Sequence, residues 1–390
     1  MSGVAEIPDP AGYAVLVDNI GIKDDTRDLA MVVSDVPAVA AGVYTRSHFA
    51  GPSVALSRAT TGGGVSAARG VVVISKNANV ANGPQGDADA AELRAAAAGL
   101  AGVEPSSLVV ASTGVIGRPY PMERIRSYFS TATWPPSSAT IADAAAAIMT
   151  TDTHPKIARA RAGEATVVGI AKGVGMIEPD MATMLAFVFT DAAVEAAELD
   201  AMWRRVCEPT FNSVSIDTDT STSDTAVVFA NGIAGPVPAA DLEAALTTVN
   251  LELTRMIAAD GEGASKLLVV TVSGAADHAQ AKRIAKAIVN SPLVKTAVHG
   301  ADPNWGRIVM AVGKCHDDER IDPAKVSVRI GDTHVFPPAA DAPTLDAAAA
   351  QMRGDEVLIV VGLGLGDATA TVYGCDLTDG YIRINADYTT

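Results

Sequence analysis

The stretch AKGVGMIEPDMATMLAFVFTDA, residues 171–192, changes character at a single threonine. Glycines, a proline and charges fill the approach, and from Thr183 the run Thr-Met-Leu-Ala-Phe-Val-Phe has the composition of a buried strand. A β-branched residue suits the head of a strand, and its hydroxyl can bond neighbouring backbone. On local grounds alone Thr183 is therefore structural, and any chemical role must come from the rest of the chain.

Working outward, the first half reads as short strands between turns: YAVLV, LAMVV, AAGVYT, SVALS, GVVVIS and SLVVAS. Helices are interspersed. DAAAAIM is alanine-rich, and AAELDAMWRRVCEPTF and AADLEAALTTVNLELTRMIAADG carry apolar residues at three- and four-residue spacing, the latter stopped by Gly261. The class is α/β (α+β). After KLLVVTVSG a more polar stretch, AADHAQAKR, marks an expected boundary near 275, separating a catalytic unit 1–275 from a C-terminal unit 276–390.

Composition narrows the partners. Of 390 residues 48% are hydrophobic, enough for a substantial core, but only 4% are aromatic, so stacking platforms for bases are scarce. A formal charge of −16 repels phosphate backbones and anionic membrane surfaces alike. A small-molecule substrate is expected, with no nucleic acid and no membrane. Cys207, Cys315 and Cys375 form no Cys-x-x-Cys pair and read as reduced thiols. With no signal-peptide pattern and no run near 18 apolar residues, a cytoplasmic location is expected.

Two motif-like stretches fail on inspection. In VLIVVGLGLGDATATVYG the third glycine comes one residue early for a dinucleotide loop, and the following residues continue as a strand, so strand-turn-strand is expected. In IDTDTSTSDT a calcium loop starting at Asp217 would need glycine where Thr222 stands and glutamate where Val228 stands; a self-bonded polar turn is expected instead. The six histidines are scattered without metal-site spacing, and neither metal nor cofactor is expected.

SSLVVASTGVIGR is more informative. A strand stops at Ser112-Thr113-Gly114, where a glycine permits close backbone approach and a threonine offers a donor, the ingredients of an oxyanion hole; a plain strand-ending turn fits the same residues. Lys172 and Glu262, each beside glycines, fit either a ligand pocket or a solvated turn.

Taken in order, STGVIG, MTTD, AKGVGMIEPDMATML, DTDTSTSDT, DGEGASK, SPLVKTAVHGADPNWGR and the terminal NADYTT resemble the ornithine acetyltransferase (glutamate N-acetyltransferase) family over almost the entire chain. Asp180 before Met-Ala-Thr, and Ser223 in Ser-Thr-Ser-Asp-Thr, resemble the paralogue found with clavulanic acid biosynthesis. The resemblance implies an N-terminal-nucleophile-like layered αββα catalytic domain with a smaller C-terminal α/β domain. It also implies autocatalytic cleavage between Ala182 and Thr183, giving an α chain 1–182 and a β chain 183–390 that associate as α2β2 or larger.

Thr183 is then both amino terminus and nucleophile. Its new α-amine can accept the hydroxyl proton without a histidine. By the same resemblance Thr113 and Gly114 stabilise the oxyanion, while Thr150, Lys172, Thr183, Glu262, Asn385 and Thr390 hold the substrate. The implied reaction moves acetyl from N2-acetyl-L-ornithine to L-glutamate through acetyl-Thr183, in arginine biosynthesis or secondary metabolism. The competing reading is an N-terminal-nucleophile aminopeptidase or amidohydrolase of the same fold, delivering the acyl group to water. A pyridoxal enzyme built on Lys172 and a non-enzymatic binding module are the more remote alternatives.

Overall fold

The computed structural model describes residues 7–62, 67–135, 138–178 and 184–387. Ala182, Thr183 and Thr390 lie outside the described residues. The first part of the chain runs β1 (Tyr13–Asp18), β2 (Leu29–Tyr44), α1 (Pro52–Thr61), β3 (Ala67–Ile74), α2 (Gly83–Ala101), β4 (Leu108–Ser112), α3 (Met122–Thr131), α4 (Ile141–Ala147), β5 (Lys156–Ala162), β6 (Ala165–Lys172), β7 (Leu185–Ala193), α5 (Ala196–Cys207), β8 (Thr225–Pro236) and α6 (Ala239–Ala259). The second runs β9 (Leu267–Ala275), α7 (His278–Val289), α8 (Pro292–His299), α9 (Trp305–Gly313), β10 (Ser327–Ile330), β11 (Thr333–Phe336), α10 (Ala342–Met352), β12 (Glu356–Gly362), β13 (Ala368–Cys375) and α11 (Asp379–Asp387).

Among the described residues the first eight strands form one sheet, in the order β4-β3-β2-β8-β7-β6-β5 with β1 also on β2. The long strand β2 joins two leaves. Its first half pairs with β1 and β3, its register breaks between Val33 and Ala38, and its second half pairs with β8. Alternation then decides the layers. Leu29, Met31 and Val33 pack outward with α2 and α3, and Ala41 and Val43 pack outward with α5 and α6. Ala30, Val32 and Ala40 face an inner core with Phe187, Phe189 and Phe229. Helix, leaf, leaf, helix is the expected αββα order.

Burying each of those phenylalanines contributes about 1.5–3 kcal/mol, and the buried Trp203 indole donates to Ala226 O at 3.1 Å, so its polar edge is not stranded.

The second sheet has the order β11-β10-β12-β9-β13, with α7–α10 elements filling the core on one face through Ile284, Val298, Ile308 and Ala348. Its other face meets α6: Leu267, Val269 and Tyr373 share a core with Leu246, Leu253 and Ile257, which also pack on Val167 and Val188. Helix α6 is thus buried between the sheets. Strand β9 lies between β12 and β13, so the change from one sheet to the other falls ahead of Leu267 rather than at the expected 275.

Two readings of the sequence change. LAMVV and AAGVYT, expected as separate strands, belong to the single strand β2. SVALS, also expected as a strand, lies in α1, whose buried face is Ser53, Val54, Ser57, Thr60 and Thr61. Apart from Val54 that face carries hydroxyls, so hydropathy hides its helical period. Ser57 Oγ both donates to Val110 O (2.6 Å) and accepts from Val110 N (2.8 Å), docking the helix on β4. By contrast, strand-turn-strand holds for 356–375, with β9 inserted between the two strands.

Candidate active site

Sheet register brings the pieces together. Lys172, the last residue of β6, pairs with Leu185, the first of β7, and Leu185 pairs in parallel with Thr225, the first of β8. The Thr225 amide donates to Met184 O at 3.0 Å, fixing the chain one residue after Thr183. At this end of the sheet lies a cavity of about 140 Å³. Thr113, Gly114, Thr150, Lys172, Glu262 and Asn385 all line it, together with Met184 and Leu185. Six residues spread from 113 to 385 therefore meet where β7 begins, two residues after Thr183 in the sequence.

Thr113 and Gly114 leave the end of β4. The Thr113 amide donates to Ile74 O at 3.1 Å, and Gly114 has φ +126°. A Cβ at Gly114 would come within 2.2 Å of the Lys76 carbonyl carbon and 2.6 Å of Asn77 N, so backbone packed on backbone excludes any larger residue there.

The opposite wall carries charge. Glu262 accepts from Thr151 Oγ1 at 3.0 Å and from Asn385 Nδ2 at 2.9 Å, one bond to each carboxylate oxygen. Its amide donates to Val174 O at 2.8 Å. The next residue, Gly263, has φ +69°, and a Cβ there would lie 2.4 Å from Tyr381 N, so the glycine lets α11 seat and deliver Asn385. Tyr381 OH donates to Asp217 Oδ2 at 3.4 Å, a second tie on the same helix.

Lys172 is partly buried and reaches Thr150 Oγ1 at 3.5 Å. Burial pushes its ammonium below the ordinary lysine range; Asp152 pulls the other way, Lys156 adds to the lowering, and Asp224 and Glu262 oppose it. Asp152 itself stays below its usual value: burial pushes it up, but Lys172, Lys156 and its hydrogen bonds outweigh that.

Several lining residues were not singled out from the sequence. Thr151 is the second threonine of MTTD, whose first is the expected substrate contact, and Ser221 to Asp224 fall in the stretch expected to be a self-bonded turn. Such bonds are present, as in Ser223 N to Ser221 Oγ at 3.0 Å, but the buried Asp224 also faces the cavity. Its signal was an acid immediately before a strand in a hydroxyl run. Asp217, rejected as a calcium ligand, accepts from the amides of Met176 and Ile177 at 2.7 Å each and so shapes the approach to the cavity.

The chain is similar to known proteins over almost its whole length. The chain is 55% identical over 387 residues to the glutamate N-acetyltransferase Oat2 of Streptomyces clavuligerus, covering 98% of both chains. It is 53% identical over 381 residues to the arginine biosynthesis bifunctional protein ArgJ 2 of a Nostoc species, again covering 98% of both. A crystal structure of the arginine biosynthesis bifunctional protein ArgJ from Bacillus halodurans is 39% identical, with a TM-score of 0.49, over 52% of this chain and 98% of that one. The ArgJ family profile matches residues 15–390, and the chain belongs to the ArgJ family.

Proposed function

We propose that the protein is a self-cleaving glutamate N-acetyltransferase that moves acetyl from N2-acetyl-L-ornithine to L-glutamate through an ester on Thr183. The observation that carries this reading is the single cavity that collects Thr113, Gly114, Thr150, Lys172, Glu262 and Asn385 beside Met184. A relative named glutamate N-acetyltransferase supports glutamate as the acceptor, and the resemblance of the sequence motifs to the ornithine acetyltransferases supports N-acetylornithine as the donor.

In the first step the Thr183 hydroxyl attacks the carbonyl of Ala182. The peptide bond becomes an ester, and water then hydrolyses it, releasing the carboxylate of Ala182 and the α-amine of Thr183. The α chain 1–182 and β chain 183–390 remain associated, since β6 and β7 pair side by side across the cut, and the assembly is α2β2 or larger. The amine next takes the hydroxyl proton as Oγ1 attacks the acetyl carbonyl of N-acetylornithine. The tetrahedral oxyanion accepts from the Thr113 hydroxyl and the Gly114 amide, and ornithine leaves with the proton. Glutamate enters, its amine attacks acetyl-Thr183, and N-acetylglutamate departs.

Lys172 faces the substrate carboxylate, while Glu262 faces the side-chain ammonium of ornithine. Thr150 and Asn385 line the same pocket, and a substrate contact from Thr390, outside the described residues, belongs to the same proposal. No cofactor takes part, and a cytoplasmic biosynthetic role fits these substrates. No helix among the described residues is long and apolar enough to cross a membrane.

Turnover of N-acetylornithine with and without glutamate tests the reading. Fast ornithine release that requires glutamate, with parallel double-reciprocal lines, is expected. Equal release without an acceptor would make the protein an amidohydrolase, and intersecting lines would replace the acetyl-enzyme with a ternary complex.

A further inference from the structure

Beside the cavity, bonded to the segments that carry Thr150 and Lys172, sits a buried charge cluster. The Lys156 side chain is fully buried, and its ammonium donates to Asp152 Oδ1 at 2.7 Å and to Asp260 Oδ2 at 2.6 Å; those carboxylates are 0% and 4% exposed. Enclosing three charges costs several kcal/mol per ion, which is recovered only where geometry and further hydrogen bonds satisfy the remaining lone pairs. Here they do so with the backbone of the site. Asp152 accepts from the amides of Thr150 (3.1 Å) and Gly173 (2.8 Å), and Asp260 accepts from the amide of Thr153 (3.1 Å) and from its hydroxyl. Two residues after Asp260 comes Glu262, and one residue before Gly173 comes Lys172. Three separate segments of the pocket are pinned to one centre.

Charge balance adds a second function. Lys156 neutralises only one of the two carboxylates, so the cluster carries a net formal charge of −1, and Lys172 stands next to it. Among the described residues, the charged groups that act on Lys172 are Asp152, Lys156, Asp224 and Glu262, and the exposed His154 lies 3.5 Å from Asp260. We propose that Asp152, Lys156 and Asp260 are positioning residues of this site: the excess carboxylate charge of the cluster holds the Lys172 ammonium over the cavity, and its hydrogen bonds fix the segments bearing Thr150 and Glu262. The inference deepens the acyl-transfer reading, resting on it for the use made of Lys172.

The test is the pH dependence of Lys172 labelling by a small amine-directed reagent, read from peptide masses. It needs no turnover, so its failure is separate from a failure of the transferase reading. Asp260→Asn keeps the shape, since the amide oxygen can accept from Lys156 and Thr153 N while the amide nitrogen donates to Thr153 Oγ1. Removing that negative charge should move the Lys172 midpoint down, by up to about one pH unit. The double variant Lys156→Met with Asp260→Asn leaves Asp152 alone beside Lys172, and its midpoint should return to or above that of the unmodified protein. A purely structural cluster gives a different sign, because loosening admits water, relieves the burial of Lys172 and moves the midpoint up in both variants. Upward movement in Asp260→Asn, or no movement in either variant, would overturn the proposal. In turnover, Asp260→Asn should raise KM for N-acetylornithine by a larger factor than it lowers kcat; a lowered kcat at unchanged KM would also count against it.

Discussion

The two sheets end in opposite ways. At the end of the large sheet where β6, β7 and β8 align, Lys172, Asp224 and the run of hydroxyls beside it face an open cavity, backed by buried ions. The second sheet encloses Val270, Val328, Ile359 and Val361 in an apolar core, and of the described residues that follow β9 only Asn385, on α11, lines that cavity. Polar groups held at the end of a rigid sheet can act on a ligand, whereas an enclosed apolar face can only support. Mutations in the two regions should therefore separate chemistry from stability.

The largest effect is expected at the oxyanion side. Thr113→Ala should lower kcat by about 10²–10³ with little change in substrate affinity, the usual cost of one such donor. Unchanged kcat in a steady-state assay would return Thr113 to the role of a strand-ending residue. In the second sheet, Ile359→Ala should cost about 2–5 kcal/mol of stability in denaturant unfolding while leaving activity per folded molecule intact. Loss of activity in the folded fraction would show that this core does more than support.

A smaller effect is expected at the charged wall. Glu262→Gln should weaken ornithine more than glutamate, by about 1.5–3 kcal/mol for a charge-assisted bond, because only ornithine brings a side-chain ammonium. Equal losses in competition assays would remove that role from Glu262. Asn385→Ala, which removes a hydrogen bond from α11 to Glu262, should cost less, about 0.5–1.5 kcal/mol in substrate affinity. A loss matching that of Glu262→Gln would place the tail in the pocket as an equal partner.

Lys172 gives a pH signature. Its ammonium is held below the ordinary lysine range by burial, against the pull of Asp152. Attraction for a substrate carboxylate is present while Lys172 is protonated and is lost as pH rises through its lowered value, so the alkaline fall of kcat/KM should begin earlier than an exposed lysine would give. Lys172→Arg should move that fall to higher pH. A fall unmoved by this change would assign the titration elsewhere.

These contrasts also show what local sequence carries. Strands such as β7, with Leu185 to Phe189 buried, and helix α6, with Leu242, Leu246, Val249 and Leu253 on one side, advertise themselves by hydropathy and spacing. Helix α1 does not, because Ser53, Ser57 and Thr60 lie on its buried face, and Ser57 and Thr60 bond backbone groups of β4. The pocket is a harder case. Thr113 and Asn385 approach through strand register and the seating of α11 on Gly263, and neither is written in a local window. Their grouping was legible only as an ordered series of motifs. Lys156 and Asp260 gave no signal because isolated charges read as surface until the fold encloses them.

An intact-mass spectrum of the purified protein, with sequencing of any new amino terminus, tests the central claim most directly. Cleavage before Thr183 predicts two associated chains of about 18 and 21 kDa, apportioning 39.7 kDa by length, the heavier beginning Thr-Met-Leu, while Thr183→Ala stays whole and inactive. A single whole chain with full transferase activity, or a Thr183→Ala protein cut at the same bond, would contradict it.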